Sequence, residues 1–297
     1  MSLTNPVPKQ AVLVVNAHSR RGRALFREAA RKLREAGIEL IAAHALRDPR
    51  RLPDTVREAI RSGAPMVIVG GGDGSLSCAV DELVDHPCVF ALLPLGTANS
   101  FARTLGIPLD LDGAVATIAS GRRRRVDLGM IDGDYFANCA AMGLSPMIGE
   151  GVPHGLKRWL GRAGYLVWAI WCLIRFHAFR LTVDDGREPR TLWVTEVRIA
   201  NGGFHGGVEV VEAADVASGE IVVQAVTGRS SLVLAWDWIA KFFKLPARHA
   251  TTEEFHGPRF TLHARPRQRI SIDGEVSAKT PVTVQVAQCA IEVVVPA

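Results

Sequence analysis

The segment Gly70–Ser75, GGGDGS, constrains this chain more than any other. An apolar run, Met66 to Val69, precedes it and reads as a buried strand. Leu76 to Val84 follows and reads as a helix. Glycines crowded at a strand-to-helix turn let the backbone approach a ligand closely, because no Cβ intervenes. The N–H groups of such a turn and of the helix behind it favour an anion, most often phosphate. Asp73 in the middle of the turn would repel phosphate unless a cation lay between them. The fragment therefore points to phosphate with a divalent metal, Mg²⁺ being the expected ion.

A second turn of the same kind follows. Leu93–Arg103, LPLGTANSFAR, comes after the apolar run Val89 to Leu93, bends at Pro94 and Gly96, and is expected to start a helix near Thr97 or Asn99. Both side chains can cap that helix or bind a ligand. Two such turns after consecutive strands belong at one edge of a sheet, where α/β folds bind ligands.

The first 125 residues alternate strand and helix: Ala11 to Val15, an amphipathic Ala24 to Ala36 ended by Gly37, Ile38 to Ala43, Asp54 to Arg61, the two turn units, and Asp110 to Ser120. This pattern implies a covered parallel sheet. From Val126 onward short β-type segments dominate, with Asp-Gly turn signals at Asp132-Gly133 and Asp185-Gly186. They read as an antiparallel sandwich or barrel. The expected division is 1–125, an α/β domain bearing both phosphate-type turns, and 126–297, a β-sandwich, with the last strand or tail free to return to the first domain.

Of 297 residues, 48% are apolar, which suffices for a large core without staples. The five cysteines are scattered with no CxxC pair, arguing against a zinc site or disulfide framework and for a reducing compartment. The beginning, MSLTNPVPKQ, lacks the pattern of a signal peptide. The expected location is the cytoplasm, with peripheral contact at the inner membrane face. Two arginine groups, Arg20, Arg21 and Arg23, and Arg122 to Arg125, are either solvated surface or a means of attracting nucleotide phosphates or an anionic membrane. No zinc finger, recognition helix or aromatic RNA-binding signature is present, so nucleic acid is not an expected partner. Tyr165 to Ile174 is apolar but well short of the roughly 20 residues that span a bilayer. Ser231 to Leu245 carries Leu232, Trp236, Ile239 and Phe243 at helical spacing, a face for the core or for lipid.

With both glycine turns identified, the chain resembles the diacylglycerol kinase catalytic-domain family, and among its members the soluble bacterial lipid kinases related to sphingosine and ceramide kinases. GGGDGS matches its GGDGT motif and LPLGTANSFAR its PxGTxNDFAR motif. VNAHSRRGR, Val15 to Arg23, stands where the family has Asn-Pro-x-Ser-Gly. Val126-Asp127-Leu128-Gly129 matches its VDLG, and Ile272-Asp273-Gly274-Glu275 a late DGE motif. The resemblance implies a first domain like that of NAD kinase and phosphofructokinase, a C-terminal antiparallel β-sandwich, and a cleft in which ATP with Mg²⁺ meets a lipid hydroxyl. It implies that Gly71, Gly72, Asp73, Gly74 and Ser75 hold phosphates and metal, and that Gly96, Thr97 and Asn99 complete the nucleotide site. Asn16, Ser19 and Arg21 would flank it. Asp273 would be the general base with Glu275 beside it, and Asp127 would support metal or base. Lys157 is a further candidate for neutralising phosphate charge. Without the resemblance, Asp273-Gly274 reads as a hairpin turn.

The implied activity is transfer of the ATP γ-phosphate to diacylglycerol or a similar lipid, in phospholipid metabolism. A kinase for a soluble substrate such as NAD, and a non-catalytic nucleotide or lipid sensor, are the alternatives. A homodimer is left open. The chain departs from the family at Ser77 and Cys78, where Asn-Glu is common, and at Ser100, where the motif has an acid. It departs again at Ala217-Ser218-Gly219, where a structural Mg²⁺ loop of the family has an Asp-Gly pair; Asp215, at a different spacing, is the candidate to supply the missing carboxylate. These changes imply a shifted preference or a weaker activity.

Overall fold

The computed structural model describes residues 6–18, 20–150, 168, 171–173, 175–243, 245–246, 250–272 and 275–297. The first lobe is built on parallel strands in the order β2-β1-β3-β4: β1 (Gln10–Asn16), β2 (Glu39–Leu46), β3 (Met66–Gly71) and β4 (Val89–Pro94). Every residue of β3 and β4 is buried, as parallel strands covered on both faces require. Helices α1 (Arg20–Glu35), α2 (Leu52–Arg61), α3 (Asp73–Val80), α4 (Ser100–Thr104) and α5 (Leu111–Ser120) complete this lobe. Helix α5 is capped by Asp110, whose side chain accepts from Gly113 N.

Beyond it come β5 (Arg122–Ile131), β6 (Asp134–Phe136), β7 (Cys139–Gly143), α6 (Leu144–Glu150), β8 (Phe179–Asp184), β9 (Arg190–Ala200) and the hairpin β10 (Phe204–His205) and β11 (Val208–Glu209). Then follow β12 (Ile221–Thr227), α7 (Ser231–Phe242), β13 (Thr252–Gly257), β14 (Arg259–Arg265), β15 (Arg269–Ile272), β16 (Glu275–Lys279) and β17 (Val282–Val295). The pairings here are antiparallel. The fold is thus an N-terminal parallel α/β sheet followed by antiparallel strands, as the turn and strand spacing implies. Strand β9 serves two layers: Val194 and the residues before it pair with β8, while Glu196 to Ala200 lie between β7 and β12. These strands wrap a second core that includes Phe136, Phe179, Val197, Val223, Phe260 and Leu262.

Fifteen strands share one hydrogen-bonded network because β17 joins the lobes. Glu292 and Val293 pair in parallel with β4, Val282 to Gln285 pair with β14, and most of its length pairs with β5. Strand β5 itself runs across the expected 125/126 boundary, with Val126 and Leu128 in the first core and Ile131 in the second. The arginine block on β5 is partly spent inside the fold, Arg123 pairing with Glu292 and Arg124 with Asp215.

Helix α7 has its polarity reversed. Asp237 and Lys241 face inward, while Leu232 is 69% and Phe243 67% exposed, with Trp236 and Ile239 also exposed on that side. The Leu232–Trp236–Ile239–Phe243 face is therefore not a core face. What holds the helix is a buried charge cluster. Fully buried Arg198 on β9 donates from Nε to Glu196 Oε1 (2.7 Å) and from Nη1 to Gln224 Oε1 (2.9 Å), and pairs through Nη2 with Asp237 (2.8 Å). Its guanidinium also lies over the Trp238 ring. Lys241 Nζ donates to Gln224 Oε1 (2.6 Å) and lies 3.3 Å from Asp237. Removing one partner leaves uncompensated buried charge, so Arg198→Ala is expected to cost about 3–5 kcal/mol, read by urea unfolding. Burial, with Arg198 nearby, lowers the Lys241 ammonium to about 8. A lysine depressed in the fold binds fewer protons there than in the unfolded chain. Between pH 8 and about pH 10 its contribution to stability therefore rises with pH. Comparing unfolding curves of the wild type with Lys241→Met across that range should show this slope lost in the variant.

Candidate functional site

The C-terminal ends of β1, β3 and β4 carry Asn16, Gly71 and Pro94 to one edge of the parallel sheet. There the two glycine turns touch. A Cβ on Gly96 would lie 2.4 Å from Gly72 Cα, and one on Gly71 would lie 2.5 Å from Ser75 Cβ. Neither position has room for a side chain. Asn16 Nδ2 donates to Ser75 Oγ (3.2 Å), which ties the end of β1 to α3. Asp73 is the first residue of α3, and its Oδ1 accepts from Phe101 N (3.3 Å) at the start of α4. Helix α4 begins at Ser100, later than expected. Asn99 precedes it in the left-handed region (φ 49°) and makes no cap. Instead Oδ1 accepts from Gly96 N (2.9 Å) and Nδ2 donates to Gly96 O (3.0 Å), which fixes the second turn. Thr97 is exposed at that turn, and so is Gly74 at the first.

The Gly71–Ser75 turn separates two cavities. One, of ≈ 230 Å³, is lined by Asn16, His18, Gly22, Gly71, Gly72 and Leu95. The other, of ≈ 220 Å³, has Asp73, Ser77 and Ser100 on one wall and Asn138, Phe204 and His205 on the opposite wall. Its two walls come from the two lobes. They are stitched by Thr104 Oγ1 donating to Asn138 Oδ1 (2.6 Å) and by Gly207 N donating to Ser100 Oγ (3.1 Å), while Asn138 Nδ2 donates to Phe204 O within the second wall. Ser100, which replaces an acid of the motif, thus accepts a backbone hydrogen bond from the β10–β11 hairpin. His205 is held below its ordinary pKa chiefly by burial, with Arg198 adding to the effect and Glu196 and Asp73 opposing it. Burial thus favours the neutral imidazole.

His205 and Asn138 were not anticipated from the sequence. The available signal was the density of glycines in Asn201–Gly207, NGGFHGG, which permits the tight hairpin that carries the imidazole into the cavity.

Strand β15 approaches the same cavity from the second lobe. Ile272 pairs with Ala140, next to the lining residue Cys139. Asp273, Ser19 and Lys157 lie outside the described residues, as do the side chains of Arg21 and Glu275.

The resemblance implies that Asp127 supports metal or base. Asp127 is 3% exposed, Oδ2 accepts from Gly219 N (2.8 Å) and Oδ1 from Cys289 N (2.8 Å). Cys289 sits in the bulge of β17, at positive φ, where the ladder to β5 is interrupted, and a bulge leaves an amide for a side chain to satisfy. Asp127 lines neither cavity. The neighbouring loop is likewise closed by protein groups: Asp215 Oδ1 accepts from Ala217 N and pairs with Arg124 (3.3 Å), and Gln288 Nε2 donates to Gly219 O. Among the described residues no three His, Cys, Asp or Glu side chains form a metal-holding group, and no helix is long and apolar enough to cross a membrane.

Fold and site together define a two-lobed protein with glycine-rich, phosphate-type turns at the edge of a parallel sheet and a cavity shared with an antiparallel lobe. The model of the diacylglycerol kinase catalytic domain matches residues 10–131. A chain of Pseudomonas aeruginosa (strain UCBPP-PA14) named "Probable lipid kinase YegS-like" is 34% identical over 210 residues, covering 68% of this chain and 67% of its own. One of the same name from Chromohalobacter salexigens is 30% identical over 260 residues, covering 84% and 81%. A solved structure from Bacillus anthracis str. Sterne matches 99% of this chain and 98% of its own with TM-score 0.81 at 22% identity, a likeness of fold. The chain belongs to the diacylglycerol kinase catalytic-domain family, a family of kinases.

Because Asp127 holds two backbone amides, Asp127→Ala should destabilise the protein by roughly 1–3 kcal/mol for each amide left without a partner. Denaturant unfolding checks this. A metal-site role would instead appear as lost activity at unchanged stability.

Proposed function

We propose that the chain is an ATP- and Mg²⁺-dependent lipid kinase that transfers the γ-phosphate to a hydroxyl of diacylglycerol or a similar lipid. In this reading residues 1–125 bind the nucleotide and 126–297 present the acceptor. The observation that carries it is the shared cavity: Asp73 lines it from the parallel-sheet lobe, while Ile272, the residue before Asp273, pairs beside it from the other. A phosphate site and a base that must face each other across a cleft need such an arrangement. The relatives' names, which specify lipid, favour that acceptor.

Gly71, Gly72, Gly74 and Ser75 cradle the phosphates with backbone N–H groups, and Gly96 lets the second turn close on them. Asn16 fixes Ser75, and Asn99 fixes Gly96. Thr97, Ser19 and Arg21 border the nucleotide. The donor set suits Mg²⁺: one carboxylate, Asp73, with the nucleotide phosphates supplying further oxygens, is the usual way this ion is held. Bound there, the ion would neutralise charge on the transferred group. Asp273 accepts the proton of the acceptor hydroxyl as its oxygen bonds to the γ-phosphorus and the bond to the β-phosphate oxygen breaks, releasing ADP. Glu275 adds negative potential beside that base. His205, neutral and fixed by its hairpin, can accept a hydrogen bond from a second hydroxyl of the acceptor head. Phosphoryl transfer needs chiefly positioning and charge neutralisation, which these residues supply.

A labelled-ATP assay against a panel of membrane lipids, with NAD as the soluble comparison, tests the reading. Label should appear in a lipid, and Asp273→Asn should lower the rate by about 10²–10⁴ at unchanged melting temperature. Undiminished transfer by that variant removes the base assignment. Phosphorylation of NAD and no lipid removes the acceptor assignment.

A further inference from the structure

The cavity on the far side of the glycine turn from the shared one, of ≈ 230 Å³, holds chemistry that phosphate binding does not use. Three glycines and two leucines, Leu25 and Leu95, line it together with Asn16 and His18. The two polar side chains differ in what they have left to offer. Asn16 is spent: Nδ2 donates to Ser75 Oγ (3.2 Å) and Oδ1 accepts from His18 N (3.3 Å). His18 is half spent. Its Nδ1 lies 2.9 Å from Arg47 O, just past the end of β2. A carbonyl oxygen can only accept, so Nδ1 carries the hydrogen, and in the neutral ring Nε2 is a bare lone pair. Nε2 has no partner among the described residues, and His18 is exposed, so this acceptor is open to a ligand.

The ring is held in place before any ligand arrives. Ala17 N donates to Leu46 O (2.7 Å), which carries the pairing of β1 with β2 one residue beyond the strand. A Cβ on Gly22 would lie 3.0 Å from Ala17 Cα and from Asn16 O, so α1 packs on this backbone with no side chain between them. An acceptor fixed in this way is preorganised for one kind of donor. Distance decides which part of a nucleotide meets it. Strand β1 lies between β3 and β2, and His18 follows β1 and is tied to the end of β2. It therefore stands one to two strand spacings, about 5–10 Å, from the Gly71 turn. In a nucleoside triphosphate the base lies farther from the β- and γ-phosphates than the ribose does. A ring at that distance, beside leucine surfaces that suit a flat heterocycle, meets the base. The 6-amino group of adenine can donate to Nε2. The 6-oxo group of guanine or hypoxanthine would set one lone pair against another and leave both unpaired.

We infer that His18 reads the nucleotide base, its Nε2 accepting from the 6-amino group of adenine and turning away 6-oxo purines. The inference rests on the nucleotide reading above and deepens it, so direct binding tests it rather than turnover. Titration calorimetry of the full chain with Mg²⁺ and either ATP or inosine triphosphate compares a 6-amino with a 6-oxo purine. Wild type should bind ATP at least about tenfold more tightly. His18→Phe keeps a flat ring without the acceptor, so ATP should weaken by about tenfold or more while inosine triphosphate does not weaken. His18→Gln can turn either its oxygen or its NH₂ to the ligand, so it should bind the two nucleotides alike. Circular dichroism should be unchanged in both variants. Equal affinities in the wild type, or an equal loss for both nucleotides in His18→Phe, overturns the inference, since the ring would then only pack. So does a 2′-deoxy-ATP deficit as large as that of inosine triphosphate and abolished by His18→Phe, because Nε2 would then serve the ribose. Absence of binding by either nucleotide removes the nucleotide site and this reader with it, whereas binding without discrimination removes the reader alone.

Discussion

The molecule depends on one shared ladder. Strand β17 pairs with β4 in the parallel sheet and with β14 in the antiparallel one, and β5 runs beside it through both. A strand common to two cores ties the orientation of the lobes, and with it the shape of the cavity between them, to its own hydrogen bonds. The weak point is the bulge between Ala287 and Ile291, where the ladder lapses. Asp127 repairs it, binding the Cys289 amide with one oxygen and the Gly219 amide with the other. The acid of the VDLG segment is therefore a clamp on the strand that joins the two lobes.

At the site itself, absence of side chains matters as much as their presence. Gly72 and Gly96 approach so closely that any Cβ on the latter would overlap the former. This close approach sets two phosphate-type turns side by side and leaves Asp73 between them and the opposite lobe. The substitution of Ser100 for an acid is absorbed by the Gly207 amide, which donates to its hydroxyl. The cavity thereby exchanges a charge for a tether on the hairpin that carries His205. That exchange makes the wall more neutral.

Much of the first lobe is legible from local signals. Continuous apolar runs bounded by glycine define β3 and β4 and the turns that follow, because buried parallel strands leave little other option. The limits appear where structure is set by distant partners. Asn99 looks like a helix cap, yet its side chain is drawn back to Gly96, and the helix starts one residue on. The β10–β11 hairpin is too short to leave a periodic trace, so His205 escapes notice. Asp127 cannot be read as a clamp until the bulge of β17, 162 residues away, is known. The outward ridge of α7 has helical periodicity that tells of a face and not of its direction. Only the buried Arg198, Glu196 and Asp237 reveal that the apolar side is the outer one.

The central claim is that a nucleotide on the glycine turns faces an acceptor held by the other lobe. A crystal structure with a non-hydrolysable ATP analogue and Mg²⁺ addresses it most directly. The account predicts the β- and γ-phosphates over Gly71 to Ser75 and Gly96, the ion between them and Asp73, and the Asp273 carboxylate facing the γ-phosphate across the cavity. Phosphates bound elsewhere, or an Asp273 carboxylate turned away from that cavity with the nucleotide in place, would contradict it.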